Sequence, residues 1–571
     1  MGDHGGGPTI EMLQRAEDLR RVPTFPAMRY SHPDSAVTTL RTALGDSAFP
    51  TWKDELYLEY HRGTYTTQAR GKWSLAHSEA MLRTAEALAT FDTASYPRQR
   101  LENLWRRTLF NQFHDILPGS SIHQVYLDAN AQYDTVWAGL DTLTGRGFAG
   151  LRARMDTRSP RGGLVPVVVF NPLTWTRSAF LRTARGEGDT VLFSAREVPA
   201  LGAKVFWVPR AGSPPIASPL LAPTVGATWI ENASLRVEVD TATGTITRIY
   251  DKLNRREALA PGGRGNVFEI FGDLPRTWDA WDIGYTGERS EVTQVSGVTR
   301  SADATEARLG FTRHWGASAV TQELVLGRES PFLEVRNEAE WHETHKLLKV
   351  GFTLGVRADS ATYAIPYGTI GRSGTPRTQA ERAKYEVPGQ RWADVSDSAF
   401  GVSIVTDSKY GWDYHGNVLR LSLLRAPTWP DSVADRGHHA FRFTIYPHAG
   451  DWRAAGTVRR AAEITTPLLA ALELAHAGSL GHATSFASVD VPGVELTAVK
   501  RAEDSEAIVL RLVEWNGQTQ TATVTLREPV RSARRANLLE DAGDSLPVTG
   551  RTFRIALRAY EIATVLVEPL R

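Results

Sequence analysis

The feature that most constrains the fold is a change of hydrophobic period near Gly163. Between about Arg70 and Gly145, apolar residues recur at i, i+3 and i+4, the stripe of amphipathic helices. Leu82, Ala85, Leu88 and Ala89 mark one predicted helix. Leu101, Leu104, Trp105, Leu109 and Phe113 mark a second, and Ile122, Val125, Tyr126, Ala129, Tyr133 and Val136 a third. The breaks at Tyr96-Pro97 and Pro118-Gly119 are short, so the three predict an antiparallel bundle. Beyond Gly163 the pattern turns strand-like: Val165–Phe170, Leu235–Val239, Ile246–Ile249, Phe332–Val335, Leu347–Phe352, Val402–Val405, Val418–Leu424 and Phe441–Ile445. Asp240-Thr-Ala-Thr-Gly244 has the composition of a hairpin turn. Helical signal survives only near Arg459–Ala475. Strands without alternating helices predict β-sandwiches and not a parallel sheet.

At 571 residues the chain is too long for one core, since cores stop growing at roughly 250–300 residues, and three to five structural units are expected. Ahead of the bundle, Pro8 to Leu44 reads as a short helix, a loop and another short helix, too small to stand alone. From about Ser485, strands such as Ile508–Val513 and Thr521–Leu526 predict a terminal small β domain.

Composition excludes several functions. There are 65 basic residues against 64 acidic, so no long-range field draws nucleic acid or an anionic membrane. The absence of cysteine removes disulfides, thiolate metal sites and cysteine nucleophiles, and it fits a reducing cytoplasm. The N-terminus lacks the basic start and apolar run of a signal peptide, and no apolar stretch reaches the ~18 residues of a membrane span. Sixteen Trp and sixteen Tyr suit either core packing or stacking on sugar faces.

Five short motifs invite chemistry. Gly2-Asp-His-Gly-Gly-Gly-Pro8 has no strand before it and no Lys after it, so it reads as a loop and not a phosphate cradle. His342-Glu-Thr-His345 spaces its histidines three apart, where a zinc helix needs four, and reads as a surface polar cluster. His32-Pro-Asp34 falls in a predicted loop and reads as chance. Trp278-Asp-Ala-Trp-Asp282 reads as a structural turn, since two Asp three apart seldom flank one substrate. His114-Asp115, at the end of the second bundle helix, stays open between two readings. One is a metal or polyol site; the other is a His hydrogen-bonded to backbone carbonyls.

Glu55-Leu-Tyr-Leu-Glu-Tyr-His-Arg-Gly-Thr-Tyr-Thr-Thr-Gln-Ala69 resembles the segment leading into the helical bundle of bacterial family 38 glycoside hydrolases, the α-mannosidases. Asn111-Gln-Phe-His-Asp-Ile-Leu-Pro-Gly-Ser-Ser121 resembles that family's His-Asp motif. Matches continue in order through Phe170–Trp175, Asp273–Ile283, Leu347–Val350, Ile365–Gly368, Asp407–Gly411, Leu423–Pro427 and Tyr446–Gly450. The segment Lys72-Trp-Ser-Leu-Ala-His-Ser-Glu79 departs from the family pattern.

The resemblance implies a multidomain α+β fold. Residues 1–48 would be the C-terminal remnant of an α/β catalytic domain, 49–150 a three-helix bundle, 151–480 a large β-sandwich domain and 481–571 a C-terminal β domain. It implies a zinc ion held in part by His114, with Asp115 contacting sugar hydroxyls, and a retaining mechanism through a covalent mannosyl-aspartate. The family's other zinc ligands, its nucleophile and its general acid precede the loop matched by Gly2–Thr9, so none is placed here. The expectation is therefore an α-mannosidase chain that is inactive by itself, with a mannose-containing oligosaccharide or glycan as ligand. A missing N-terminal segment or a second copy would be its partner. The alternative is a non-catalytic carbohydrate-binding or scaffold protein of the same architecture.

Overall fold

The computed structural model describes residues 7–45, 49–92, 96–184, 190–210 and 221–570. Residues 2–6 of the glycine-rich start, and the expected boundary at 48, lie outside them. The chain divides into two compact units, Met1–Tyr57 and Leu58–Arg571.

In the first unit, α1 (Ile10–Arg20) starts on Thr9, whose hydroxyl accepts the Met12 N–H at 3.2 Å. Helix α2 (Pro33–Leu44) starts on Pro33, whose fixed φ and missing N–H suit a first turn. His32 is therefore the last residue of the loop before a helix, as the sequence suggested, whereas Asp34 lies in that helix's first turn. No residue of either helix is buried.

The second unit opens with the bundle: α3 (Ala69–Phe91), α4 (Arg98–Phe110) and α5 (His123–Arg154). Leu82 and Ala85, Leu101 and Leu104, and Val136, Leu140 and Leu143 close one apolar core between them. Leu109, Phe113 and Ile122, expected on the same stripes, are instead more than half exposed: Leu109 lies on the outer side of α4's last turn, Phe113 beyond the helix end at Phe110, and Ile122 just ahead of α5. The opposite side of α3 and α5 packs on the strands. Leu88, Phe148 and Leu151 share a core with Phe170, Leu510 and Val565, and Phe91 stacks on Phe486 at 4.7 Å.

After the bundle the chain is almost entirely antiparallel sheet. A nine-stranded sheet, with Ser318–Gly327, Leu333–Trp341, Gly437–Ala449 and Phe400–Thr406 adjacent in that order at its centre, lies against a six-stranded one. In the second, Val267–Asp273, Lys346–Thr353, Val418–Arg425 and Gly411–His415 are neighbours. Inward side chains meet between the sheets, as where Phe352 meets Phe443 edge-on at 6.1 Å. The hairpin predicted at Asp240–Gly244 is present, with Asp240 paired to Thr245 and Gly244 at φ 71. Two further sheets, of five and four strands, close the terminal sandwich. Leu510, Leu512, Val565 and Val567 on one share a core with Val524, Phe553 and Ile555 on the other.

Among the described residues, two short helices interrupt the strands, α6 (Gln379–Ala383) and α7 (Thr457–Thr465). The second covers only part of the stretch read as helical near 459–475. Pro467 bars the residue before it from helical backbone, and Leu469–Leu472 joins a sheet beside Leu164–Asn171. The multidomain α+β class is the one the sequence implied. No described helix is long and apolar enough to cross a membrane.

Candidate functional site

The segment from Glu59 to Gln68 is bound to the six-stranded sheet before it enters α3. The Arg62 guanidinium donates to the Ala383 carbonyl at 2.9 Å and pairs with Asp282 at 3.2 Å. The Gly63 N–H donates to the Trp281 carbonyl at 2.7 Å, and Arg425 Nη1 donates to Thr67 Oγ1 at 3.1 Å. Arg425 is fully buried and is held by Asp273. Trp278–Asp282 is thus a structural turn, as read from the sequence. Asp279 accepts the Thr428 N–H at 2.7 Å and lies 3.0 Å from His345 Nε2.

The start of α3 is held from the other side by the loop after Arg425. The Asp435 carboxylate accepts the N–H groups of Gln68 and Ala69 at 2.5 and 2.7 Å, which satisfies two of the helix's unpaired donors and places negative charge at its positive end. Burial pushes the Asp435 carboxyl up from its usual value, with His439 opposing. Asp431 accepts Gln68 Nε2 at 2.8 Å and lies 3.2 Å from His123 Nδ1, which opens α5.

Between α4 and α5, residues 111–122 form consecutive turns carrying His114 and Asp115, four and five residues past the helix end at which the sequence placed them. The turns are braced from within and below. The Ser120 hydroxyl donates to Asp115 Oδ1 at 2.7 Å, and the Tyr126 hydroxyl donates to the Asp115 carbonyl at 3.1 Å while accepting the Ser121 N–H at 2.8 Å. Gly119, at φ 95, lets the turn pass over α3's start; a Cβ there would stand 2.6 Å from the Thr67 carbonyl oxygen. From underneath, the Lys72 ammonium donates to the carbonyls of Thr67, Leu117 (2.9 Å) and Pro118 (3.3 Å). Burial pushes Lys72 down to about 7, with Asp435 pulling the other way.

The two candidate side chains face outward. His114 is 57% exposed and Asp115 34%, with His114 Nε2 and Asp115 Oδ2 3.5 Å apart. Phe113 lies against the imidazole at 4.3 Å, and Leu109, Phe110, Phe113 and Ile122 are exposed apolar residues of the same end of the bundle. Among the described residues, no three of His, Asp and Glu gather closely enough to hold a metal ion. His342 and His345 do not converge: His345 goes to Asp279, and Glu343 accepts the Ala317 N–H and the Ser318 hydroxyl. Sequence reasoning did not find Lys72, Asp431 or Asp435. Each acts on groups that only tertiary folding brings near, the last two across more than 300 residues, so no local pattern marks them.

Three family models match this chain: "Alpha mannosidase middle domain" over residues 59–151, "Glycosyl hydrolases family 38 C-terminal domain" over 230–433, and "Glycosyl hydrolases family 38 C-terminal beta sandwich domain" over 493–565. Alpha-mannosidase 2C1 of Homo sapiens is 34% identical over 588 residues, covering 99% of this chain and 55% of its own length. Alpha-mannosidase G of Dictyostelium discoideum is 27% identical, covering 99% and 57%. The crystal structure of an alpha-mannosidase from Enterococcus faecalis V583 superposes with a TM-score of 0.81 at 16% identity, over 98% of this chain and 74% of that one. The chain spans about half the length of the Homo sapiens and Dictyostelium discoideum relatives. It belongs to glycoside hydrolase family 38 and carries that family's α-mannosidase middle domain and C-terminal domains.

Proposed function

We propose that this chain is part of a zinc-dependent, retaining α-mannosidase that releases terminal α-linked mannose from glycans or oligosaccharides. The observation that carries the reading is the adjacency of His114 and Asp115 in an exposed, braced turn, inside the stretch that the α-mannosidase middle-domain model covers. A solvent-facing imidazole beside a carboxylate has the donor chemistry zinc accepts. His114 would supply one ligand. Asp115, with one oxygen committed to Ser120, keeps the other for sugar hydroxyls or for orienting the imidazole. Zinc bound there would supply Lewis acidity toward those hydroxyls.

Retention of configuration needs two carboxyl groups about 5–5.5 Å apart across the sugar, one as nucleophile and one as acid. We assign neither role to a carboxylate of this chain. With no third donor gathered at His114 among the described residues, residues 1–571 alone would bind zinc weakly and not turn over. The remaining groups would come from elsewhere in the working enzyme, and the exposed Leu109, Phe110, Phe113 and Ile122 suit contact with whatever carries them. The cysteine-free composition is the ground for placing the enzyme in the cytoplasm.

The test measures aryl α-mannoside hydrolysis and bound zinc for residues 1–571 and for the longer enzyme that contains them, with aryl α-glucoside as the competing substrate. The expected result is background turnover by the chain alone, mannoside hydrolysis by the longer enzyme, and loss of both zinc and activity on His114→Ala. Turnover by residues 1–571 alone, or a longer enzyme indifferent to His114→Ala, overturns the proposal.

A further inference from the structure

The stretch Lys72–Glu79, at which the sequence departs from the family pattern, forms one wall of a cavity of about 600 Å³ between α3 and the nine-stranded sheet. Trp73 and His77, one turn apart on α3, both line it, stacked with centroids 4.9 Å apart and planes 10° from parallel. Trp137 of α5 stands edge-on to Trp73 at 5.2 Å and is itself held by donation from its indole N–H to the Ser78 hydroxyl at 3.0 Å. The aromatic pair is therefore flanked by Trp137, nearly perpendicular to both rings, and stands on a helix and not on a loop.

The floor is polar. Alternate side chains of three adjacent strands point into the cavity, with Glu323 opposite Arg336, and Arg336 opposite Arg442. Glu334 sits between the two guanidiniums, 3.1 Å from Arg336 and 3.6 Å from Arg442. Glu323 and Glu338 have no hydrogen bond or ion pair to their carboxylates among the described residues, so acceptors remain available. The four carboxylates Glu323, Glu334, Glu338 and Asp407 stand against two guanidiniums, a formal balance of −2. That balance disfavours phosphate, nucleic acid and acidic peptides.

An immobilised indole, open carboxylate acceptors and fixed guanidinium donors in a cavity of this size match the requirements of one ligand class. A pyranose has an apolar C–H face to lay on the ring and hydroxyls that both donate and accept. We propose that this cavity is a second glycan-binding site, which holds a neutral pyranose of an oligosaccharide against the stacked Trp73–His77 pair while the Glu323, Glu338 and Arg336 side chains bind its hydroxyls. That the sugar is mannose rests on the function proposed above; that it is a neutral pyranose does not.

The experiment titrates residues 1–571 with α-linked mannotriose, with cellotriose and with spermidine, read by calorimetry and by ligand-observed NMR. Saturable mannotriose binding is expected. It should weaken roughly tenfold in Trp73→Ala, the loss of about one aromatic contact, and recover in part in Trp73→Phe. Weakening of several-fold is expected in Glu323→Gln and Glu338→Gln, and none in His114→Ala. Melting curves for each variant separate binding from folding, and the two Glu→Gln variants carry the test if Trp73→Ala does not fold. Cellotriose binding that depends on Trp73, without mannotriose binding, would keep the site and remove mannose from it. Mannotriose binding that depends on His114 and not on Trp73 would overturn the site and leave the mannosidase reading standing. Absence of binding by either sugar, or spermidine taking the cavity in their place, overturns the site outright.

Discussion

At the bundle end, His114 and Asp115 keep their polar atoms in contact with water; inside the six-stranded sheet, Lys349, Glu386 and Asp413 keep theirs to one another. The sheet cluster is a row across four strands and the segment before a fifth. Lys349 pairs with Glu386 and, at 2.7 Å, with Asp413. Arg420 joins Asp413 (3.1 Å) to Glu269 (2.6 Å), and the Ser422 hydroxyl donates to Glu386. Burial pushes the Glu386 carboxyl up to about 7, with Lys349 opposing. Burial alone would lower Lys349, but Asp413 and Glu386 overrule it and hold the ammonium well above its usual value. Strong perturbation is often taken as the mark of a working site, yet here it marks an ionic clamp whose ammonium and carboxylates are buried against one another. The groups with access to a ligand are the exposed pair. What distinguishes them is the bracing of the backbone beneath them, by Lys72, Tyr126 and Ser120.

Burial, and not chemistry, sets what each of these polar groups is worth to stability. The largest test of this is Lys349→Met, which leaves the buried Glu386 carboxylate without its cation and Asp413 with Arg420 alone. Urea unfolding should lose about 3–5 kcal/mol. A loss under about 1 kcal/mol would show the row to be dispensable. Adding Glu386→Gln to that variant should recover part of the loss.

A smaller effect of opposite sign is expected within the bundle. Glu86 is buried on α3, accepting the Trp105 indole N–H at 2.9 Å, and burial pushes its carboxyl up to about 7. Because the folded value lies above the unfolded one, its contribution is fully present below about pH 4.5 and is lost as pH rises to about 7. Glu86→Gln should therefore be more stable than the parent at pH 8 by about 2 kcal/mol, and the difference should vanish near pH 4. A difference that does not change with pH would mean the burial argument fails there.

Asp435→Ala removes the carboxylate from the first N–H groups of α3 and should cost about 1 kcal/mol. Faster hydrogen exchange should be confined to the start of α3 and the turns at 111–119. Exchange unchanged there would mean that Lys72 braces the turn without help. The smallest effect is His114→Ala, within about 0.5 kcal/mol of the parent by thermal unfolding, as for an exposed side chain. A larger loss would make His114 a structural residue and blur the contrast with Lys349.

Much of this molecule was legible locally. Leu82, Leu101, Leu104 and Val136 announced a bundle, and the switch to period two after Gly163 announced sandwiches. Both patterns record which side of a regular element must leave water. The His-Asp motif stood out because Asn111–Ser121 resembles a family segment; the residues alone left it between a metal site and a capped helix end. Phe113 and Ile122 misled, since a stripe does not say where its helix stops, and Leu109 misled because its side of α4's last turn is left uncovered among the described residues. Near Arg459–Ala475 the helical reading gave way because Pro467 interrupts the helix and strand pairing claimed Leu469–Leu472.

By itself, then, the sequence determined the elements, their order and the segment that carries His114 and Asp115, because hydrophobic period and turn chemistry act within a few residues. Only the tertiary structure decided that Asp431 and Asp435 anchor a helix more than 300 residues earlier, that Lys72 lies beneath the candidate turn, and that Trp73 faces a floor of carboxylates. Those arrangements depend on which surfaces pack together, and the chain encodes that choice in the total apolar area buried and the polar groups satisfied, not in any short run of residues.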